Sequence, residues 1–234
     1  MTKDEKIEYV AAGLLPLLQN DLRLVVESGC PRHGCGTGPN FTLALLCMVA
    51  CETVGALSAG EGLTGFAATR AFIGRLGRGS NNRRYDAYAG LLFHFFRNGI
   101  GHSFRPKQAK RMSGWTLSMT PCIDTLRETA EGQLQVDNLR IATHLAIEDR
   151  PDERRFNVVT KILYLDVSAA ISEFQAALNQ REPYAVESFD WAFDRWHRAN
   201  EGVRHRKGEL TDLELALIAG EGRTGGLSCN GPVT

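Results

Sequence analysis

The chain has 234 residues, of which 43% are hydrophobic and 23% charged, and its formal net charge is zero. That length and composition fit one large globular domain, or one domain with an appendage, with enough chain to bury a sizeable core. They exclude a disulfide scaffold, because six cysteines are spread thinly over the chain, and a protein that is polycationic or polyanionic throughout.

The start, MTKDEKIEY, is acidic and polar, unlike a signal peptide. Residues 4–28 predict a helix, with Ile7, Val10, Ala11, Leu14, Leu15, Leu18, Leu22 and Val25 at three- and four-residue spacing. Pro16 should kink or divide it. Gly29 to Asn40, dense in Gly, Pro and Cys, predicts a loop. Its CPRHGC stretch offers Cys30, His33 and Cys35. A zinc site needs about four ligands, and no second pair follows, since Cys122 and Cys229 are isolated. The expectation is no metal and a reduced, cytoplasmic chain.

Phe41 to Ala59 predicts a second helix, apolar on most sides and therefore central. Thr42, Glu52, Thr53 and Ser58 interrupt it, so it reads as buried and not as a membrane span. Phe66 to Leu76 predicts a short helix with Ala67, Ala71, Phe72 and Leu76 inward. Arg83 to Arg97 predicts an aromatic-rich helix. Beyond it, Trp115 to Met119 suggests a short strand, and Leu139 to Ile147 a strand or helix. Pro151 to Arg155 reads as a charged turn. Phe156 to Gln180 predicts a helix whose apolar face holds Val159, Ile162, Leu163, Val167, Ala170, Ile171, Phe174 and Leu178. Ser188 to Asn200 predicts another, with Trp191, Phe193 and Trp196. The fold class expected is mainly α, with a small β element. Three parts are expected: a helical core over 1–112, a β element with two packing helices over 113–207 in the same globule, and a short amphipathic helix with a Gly-rich tail over 208–234. The segment GELTDLELALIAGEG resembles the leader of a ribosomally made, modified peptide, although its place at the end of the chain fits a frayed terminus better.

Net neutrality hides an asymmetry. Residues 69–111 carry +9, with Asp86 their only acid, whereas residues 1–68 carry −3 and residues 112–234 carry −6. A single positive block in a neutral chain is a candidate polyanion-binding face. The bland alternative is charge scattered over exposed helices.

Within that block lies FRNGIGHSFRPK, residues 96–107. It sets Arg97 and Asn98 just after an apolar helix, with His102 beyond Gly99 and Gly101. On an unbroken helix Arg97 and His102 would splay roughly 140° apart. Two glycines make an unbroken helix costly, and a break lets both side chains turn to one concavity. Arg97 has a planar fork matched to phosphate oxygens. His102 can accept or donate a proton near neutral pH. Asn98 can orient either one, and Arg105, Lys107, Lys110 and Arg111 follow as phosphate contacts. The set suits RNA cleavage without metal or cofactor. The plain alternative is that Arg97 and Asn98 only satisfy helix-end carbonyls. His94 is a rival histidine, expected to be packed in the core among Leu91, Phe93, Phe95 and Phe96; His144 is expected to be a satisfied interior histidine.

Arg97-Asn98-Gly99-Ile100-Gly101-His102, with the aromatic helix before it and Pro106-Lys107 after, resembles the signature of the HEPN superfamily (higher eukaryotes and prokaryotes nucleotide-binding). The wording LLFHFFRNGIGHSFRPK is similar to uncharacterised bacterial members. The resemblance covers residues 41–111 best. It implies a bundle of four or five helices and, in many members, a metal-independent endoribonuclease of toxin–antitoxin, phage-defence or RNA-processing systems. It also implies a site shared by two protomers, with Arg97 and His102 catalytic and Asn98 supporting. Other members only bind nucleotides or partners. The expected partners are therefore RNA, a second copy of the chain, and an antitoxin or regulatory protein, with no membrane. The apolar helices 41–59 and 85–97 are the expected dimer face.

Overall fold

The computed structural model describes residues 1–28, 40–60, 62–63, 65–77, 85–94, 97, 109–110, 116–122, 127–128, 134–135, 144–149 and 154–200. These residues are mainly helical. The chain divides into two compact units, Met1–Trp196 and His197–Thr234, and the second is described only through residues 197–200. The expected loop over Gly29–Asn40 and the expected helix and tail over 208–234 lie outside the described residues, Asn40 excepted.

Helix α1 (Lys3–Glu8) opens with a capping box. The Thr2 hydroxyl accepts from the Glu5 N–H, and the Glu5 carboxylate accepts from the Thr2 N–H. The helix does not stop at Pro16. It passes through a π-helical segment, Tyr9–Leu14, into α2 (Leu15–Ser28). Pro16 accounts for this. Its ring clashes with the carbonyl four residues back, and widening by one residue relieves the clash, so Leu15 N–H donates to Val10 O, five residues back. The next bond in that register, from residue 16 to Ala11 O, cannot form because proline has no N–H. The Gln175 amide fills the gap, donating to Ala11 O at 2.6 Å.

Helix α3 (Asn40–Ser58) is the centre. Leu43, Ala44, Cys47, Met48, Ala50, Cys51, Val54 and Leu57 are all buried. α2, α4 (Gly65–Ile73), α6 (Thr160–Asn179) and the strand Thr116–Cys122 lie against it. α4 approaches so closely that a Cβ on Gly55 would stand 3.0 Å from Ala68 O and Thr69 Cα. This crossing rotates α4 from its expected setting: Ala68, Thr69, Phe72 and Ile73 face inward, while Ala67 is exposed and Ala71 half-buried. Burial pushes the Cys47 and Cys51 thiols above the usual range, so both stay protonated.

Among the described residues, six strands follow the motif region: β1 (Ala109–Lys110), β2 (Thr116–Cys122), β3 (Arg127–Glu128), β4 (Leu134–Gln135), β5 (Ala146–Asp149) and β6 (Arg154–Val159). One sheet has the order β1-β2-β6-β5, with β2 and β6 parallel, Leu117 opposite Arg154 and Cys122 opposite Val159; β3 and β4 form a separate pair. Residues 151–153 of the expected charged turn lie outside the described residues, whereas its last two residues and the expected start of the helix, 154–159, are a strand. Residues 154–159 are a strand because Asn157, Val158 and Val159 are buried between neighbouring strands and helices, and the two valines suit a pleated setting. Val159 occupies the position just before α6, without a side-chain cap, and the predicted apolar face of α6 is buried apart from the half-buried Ala170. The next helix, α7 (Pro183–Asn200), starts earlier than expected, with Pro183 at its first position, where a missing N–H costs nothing.

Two polar devices join elements distant in sequence. Lys6 of α1 is buried and bonds Asp190 and Asp194 of α7, both at 2.6 Å, with its Nζ 5.8 Å from the centre of the Phe193 ring. The second links α5 (Tyr85–Leu92), β6 and α6. Val159 N–H donates to His144 Nδ1 at 3.0 Å. A neutral ring therefore carries its proton on Nε2, which donates to Tyr85 Oη at 2.8 Å, and the Tyr85 hydroxyl donates to Asp166 Oδ2 at 2.7 Å. His144 is the satisfied interior histidine expected from sequence. The residue after it, Leu145, has φ +60°, a left-handed setting that costs a β-carbon residue about 1–3 kcal/mol. Burial of both His144 and Leu145 and a bond from Leu145 N–H to Asn157 O at 2.8 Å hold it there.

Tyr85→Phe should lower unfolding free energy by about 1–3 kcal/mol, because it takes one bond from each of two buried polar groups. Urea unfolding measures this, and a loss below about 0.5 kcal/mol, the scale of an ordinary surface change, would show that the relay does not hold α5.

The two aspartates hold Lys6 above the ordinary lysine value of 10.5. A raised folded value means that the ion pair's contribution is full below the unfolded value and fades as pH rises through the folded one. Lys6→Met should therefore cost about 1 kcal/mol at neutral pH, the scale of a partly exposed pair. Its gap from the parent protein should close only above pH 10.5 in chemical unfolding at graded pH.

Candidate functional site

α5 delivers the motif, and its setting is firm. Tyr85, Ala89 and Leu92 are buried, and the Tyr88 ring lies 5.0 Å from that of Phe156 in β6. The α-helix ends at Leu92, five residues before the expected end at Arg97, and Phe93, His94 and Arg97 are π-helical. Wider turns of this kind leave backbone groups and side chains in non-helical register and recur at functional sites. Phe93 rests on Phe66 of α4, with ring centres 4.7 Å apart. His94, expected in the core, is exposed instead, its ring 5.3 Å from that of Phe66. The change from α to π turn accounts for its new direction.

Arg97 is half-buried and meets Glu52 of α3. Arg97 Nε donates to Glu52 Oε2 at 3.0 Å and Nη2 donates to Oε1 at 3.3 Å, a two-point fork on a carboxylate. The side chains are 37% and 39% exposed, so water reaches both. Glu52 is the one charged residue in the α3 sequence. It shares α3's outward stripe with Thr42 and Val49, while its neighbours Cys51 and Val54 are fully buried.

Of the other residues expected at the site, Asn98, His102, Arg105, Lys107 and Arg111 lie outside the described residues. Lys110 is placed by its backbone only, in β1 opposite Thr116. Arg97 is thus the one motif residue whose side chain is described, and it is brought together with Glu52, which sequence reading passed over as an interruption in an apolar helix. A lone carboxylate on a helix that has no other charge was the available signal.

Two more members of the positive block are described. Arg70 and Arg75 are exposed on α4 and the turn after it. Arg75 borders an open groove of about 460 Å³ that also includes Glu173, Phe174 and Tyr184, so its setting is mixed in charge. Among the described residues, no group of three or more His, Cys, Asp or Glu is arranged to hold a metal ion, and no helix is long and apolar enough to cross a membrane. Cys30, His33, Cys35 and Cys229 lie outside the described residues, and Cys122 is described by its backbone alone.

The burial of helices 41–59 and 85–97 bears on the expected dimer face. α3 and the described part of α5 cover most of their apolar residues within one protomer, because α3 is enclosed and α5 packs onto β6. Among the described residues of α3, Val49 is the exposed large apolar side chain. Comparison with protein-family models, with curated proteins and with solved structures finds no match for this chain.

Proposed function

We propose that this chain is a HEPN-type endoribonuclease that cleaves RNA without a metal, through a site built on Arg97, Asn98 and His102. The observation that carries the reading is the placing of Arg97: it follows a buried aromatic helix, it is partly open to water, and its guanidinium is fixed at a helix end. The sequence then supplies an amide, two glycines and a histidine within five residues. His102 takes the proton from a ribose 2′-OH. The 2′-oxygen attacks phosphorus, Arg97 stabilises the charge that grows on the phosphoryl oxygens, and a protonated second group gives its proton to the departing 5′-oxygen. The products are a 2′,3′-cyclic phosphate and a 5′-hydroxyl. A second protomer would supply that second proton carrier, as the HEPN resemblance implies. The same resemblance motivates a toxin–antitoxin or phage-defence setting with an antitoxin or regulatory partner.

One observation favours a different class. The Arg97 fork already bonds a carboxylate, as an arginine with a purely structural role would. On that reading the chain is a HEPN-like module that binds nucleotide, nucleic acid or a partner protein and cleaves nothing. Cleavage of RNA but not DNA, unchanged by EDTA, separates the two.

Arg97→Ala and His102→Ala should each lower turnover by at least about 100-fold, the usual scale for removing an acid–base or charge-stabilising group, with circular dichroism unchanged. Activity near that of the parent protein in either variant would sink the catalytic assignment. Mixing the two inactive variants should restore part of the activity if each site draws on both protomers.

RNA binding should weaken steeply with salt. Each neutralised phosphate adds roughly 0.7 to the slope of log K against log salt on a single strand. Replacing Lys107, Lys110 and Arg111 with Ala should flatten that slope by about 2 if all three touch phosphate. An unchanged slope would mean that these charges only solvate the surface.

A further inference from the structure

We infer that Glu52 is a positioning residue for Arg97, fixing the guanidinium by one edge so that its remaining donors meet the phosphate; this rests on the ribonuclease reading above. An arginine carries five N–H donors in a rigid plane. Glu52 occupies one on Nε and one on Nη2, which leaves the second Nη2 donor and both Nη1 donors for a ligand. Among the described residues these three have no other acceptor.

The pair is a poor stability device. Both side chains are more than a third exposed, and such pairs contribute little to folding. A carboxylate placed beside a phosphate-binding arginine also weakens its attraction for RNA. Stability and affinity therefore both leave Glu52 unexplained. Orientation explains it. Arg97 has a long, flexible side chain and stands past the end of the regular helix, where no α-helical turn directs it. Glu52 projects from a helix enclosed on most sides, between Cys51 and Thr53 and one turn from buried Met48 and Gly55. Its carboxylate is thus the more rigid partner, and a two-point contact fixes both the plane and the direction of the fork.

A positioning role has a distinct kinetic signature. Removing Glu52 should harm the step in which charge develops, where alignment matters, and should leave ground-state binding unchanged or tighter because a negative charge has gone. A merely structural pair would change stability and leave turnover per folded molecule alone.

The experiment measures kcat, KM and thermal midpoint for the full chain on single-stranded RNA, comparing the parent protein with Glu52→Gln, Glu52→Ala, Arg97→Ala and Glu52→Ala combined with Arg97→Ala. Binding of a non-cleavable 2′-O-methyl oligonucleotide is measured alongside. Expected is a fall in kcat on the order of 10-fold for Glu52→Gln and up to 100-fold for Glu52→Ala, with KM and oligonucleotide affinity unchanged or improved, and no further loss when Glu52→Ala is added to Arg97→Ala. Glu52 variants with the parent's kcat, while Arg97→Ala is inactive, would overturn the positioning role and leave the ribonuclease reading standing. A rise in kcat would overturn it too, by showing that Glu52 restrains Arg97. Unfolding of the near-isosteric Glu52→Gln together with Arg97→Ala would show that the pair serves the fold. A parent protein that cuts no RNA would overturn both readings.

Discussion

A helix without a polar face has to be enclosed, and the placing of the other helices follows from that demand. α3 buries residues around most of its circumference and leaves a narrow outward stripe. α2, α4 and α6 supply the walls, and β2 lies alongside. The contact with α4 is close enough that glycine is needed at position 55, since a methyl group there would press on backbone, which cannot move aside cheaply. Everything charged on α3 is thereby reduced to one position, Glu52, on the stripe that escapes enclosure. The enclosure that gives the fold its core also gives one carboxylate a rigid mount.

The second constraint acts on α5. A helix of eight residues carries little stability of its own, so its position has to come from packing and from bonds to other elements. Tyr85 provides both: its ring is fully buried and its hydroxyl lies between His144 and Asp166, so α5, β6 and α6 share one polar chain. The direction of that chain is fixed from one end. A backbone donor at Val159 faces Nδ1, and each following group must then donate onward. Such a chain specifies one arrangement sharply, because a shift of α5 by one residue would leave buried donors and acceptors without their partners. The end of α5 at Leu92 inherits that precision.

How far the sequence discloses this architecture depends on how local each determinant is. The apolar stripe of α6 and the enclosed nature of α3 are properties of consecutive residues, and periodicity reveals them. Pro16 was visible as a disturbance, but whether it would break the helix or widen it depended on Gln175, a residue more than a hundred positions away that meets the stranded Ala11 carbonyl. Residues 156–159 match a helical stripe and a buried strand equally well, and pairing with β2 and β5 decides between them. The inward face of α4 was set by a glycine on another helix. At the site, Arg97 was legible from its neighbours in sequence, whereas Glu52 lies 45 residues upstream and only the fold joins them. The Tyr85–His144–Asp166 chain is hidden for the same reason: its members come from three elements, and sequence showed only that His144 belonged inside.

These two constraints converge on a site of unequal parts. Rigid, buried helices hold Glu52 and the body of α5, while the turn that carries Arg97 departs from α-helical geometry within five residues of Leu92. Enclosing the guanidinium would have made the pair stronger, but would have removed its remaining donors from any ligand and added the desolvation of two charges. Leaving it fully exposed would have let the side chain wander at the cost of alignment. A half-exposed fork, fixed along one edge by a carboxylate on the enclosed helix α3, lies between those limits. On the proposed ribonuclease reading, it would keep the plane of the guanidinium defined before RNA binds and leave three N–H groups for the phosphate, which is the condition under which an arginine can favour a developing charge over the ground state.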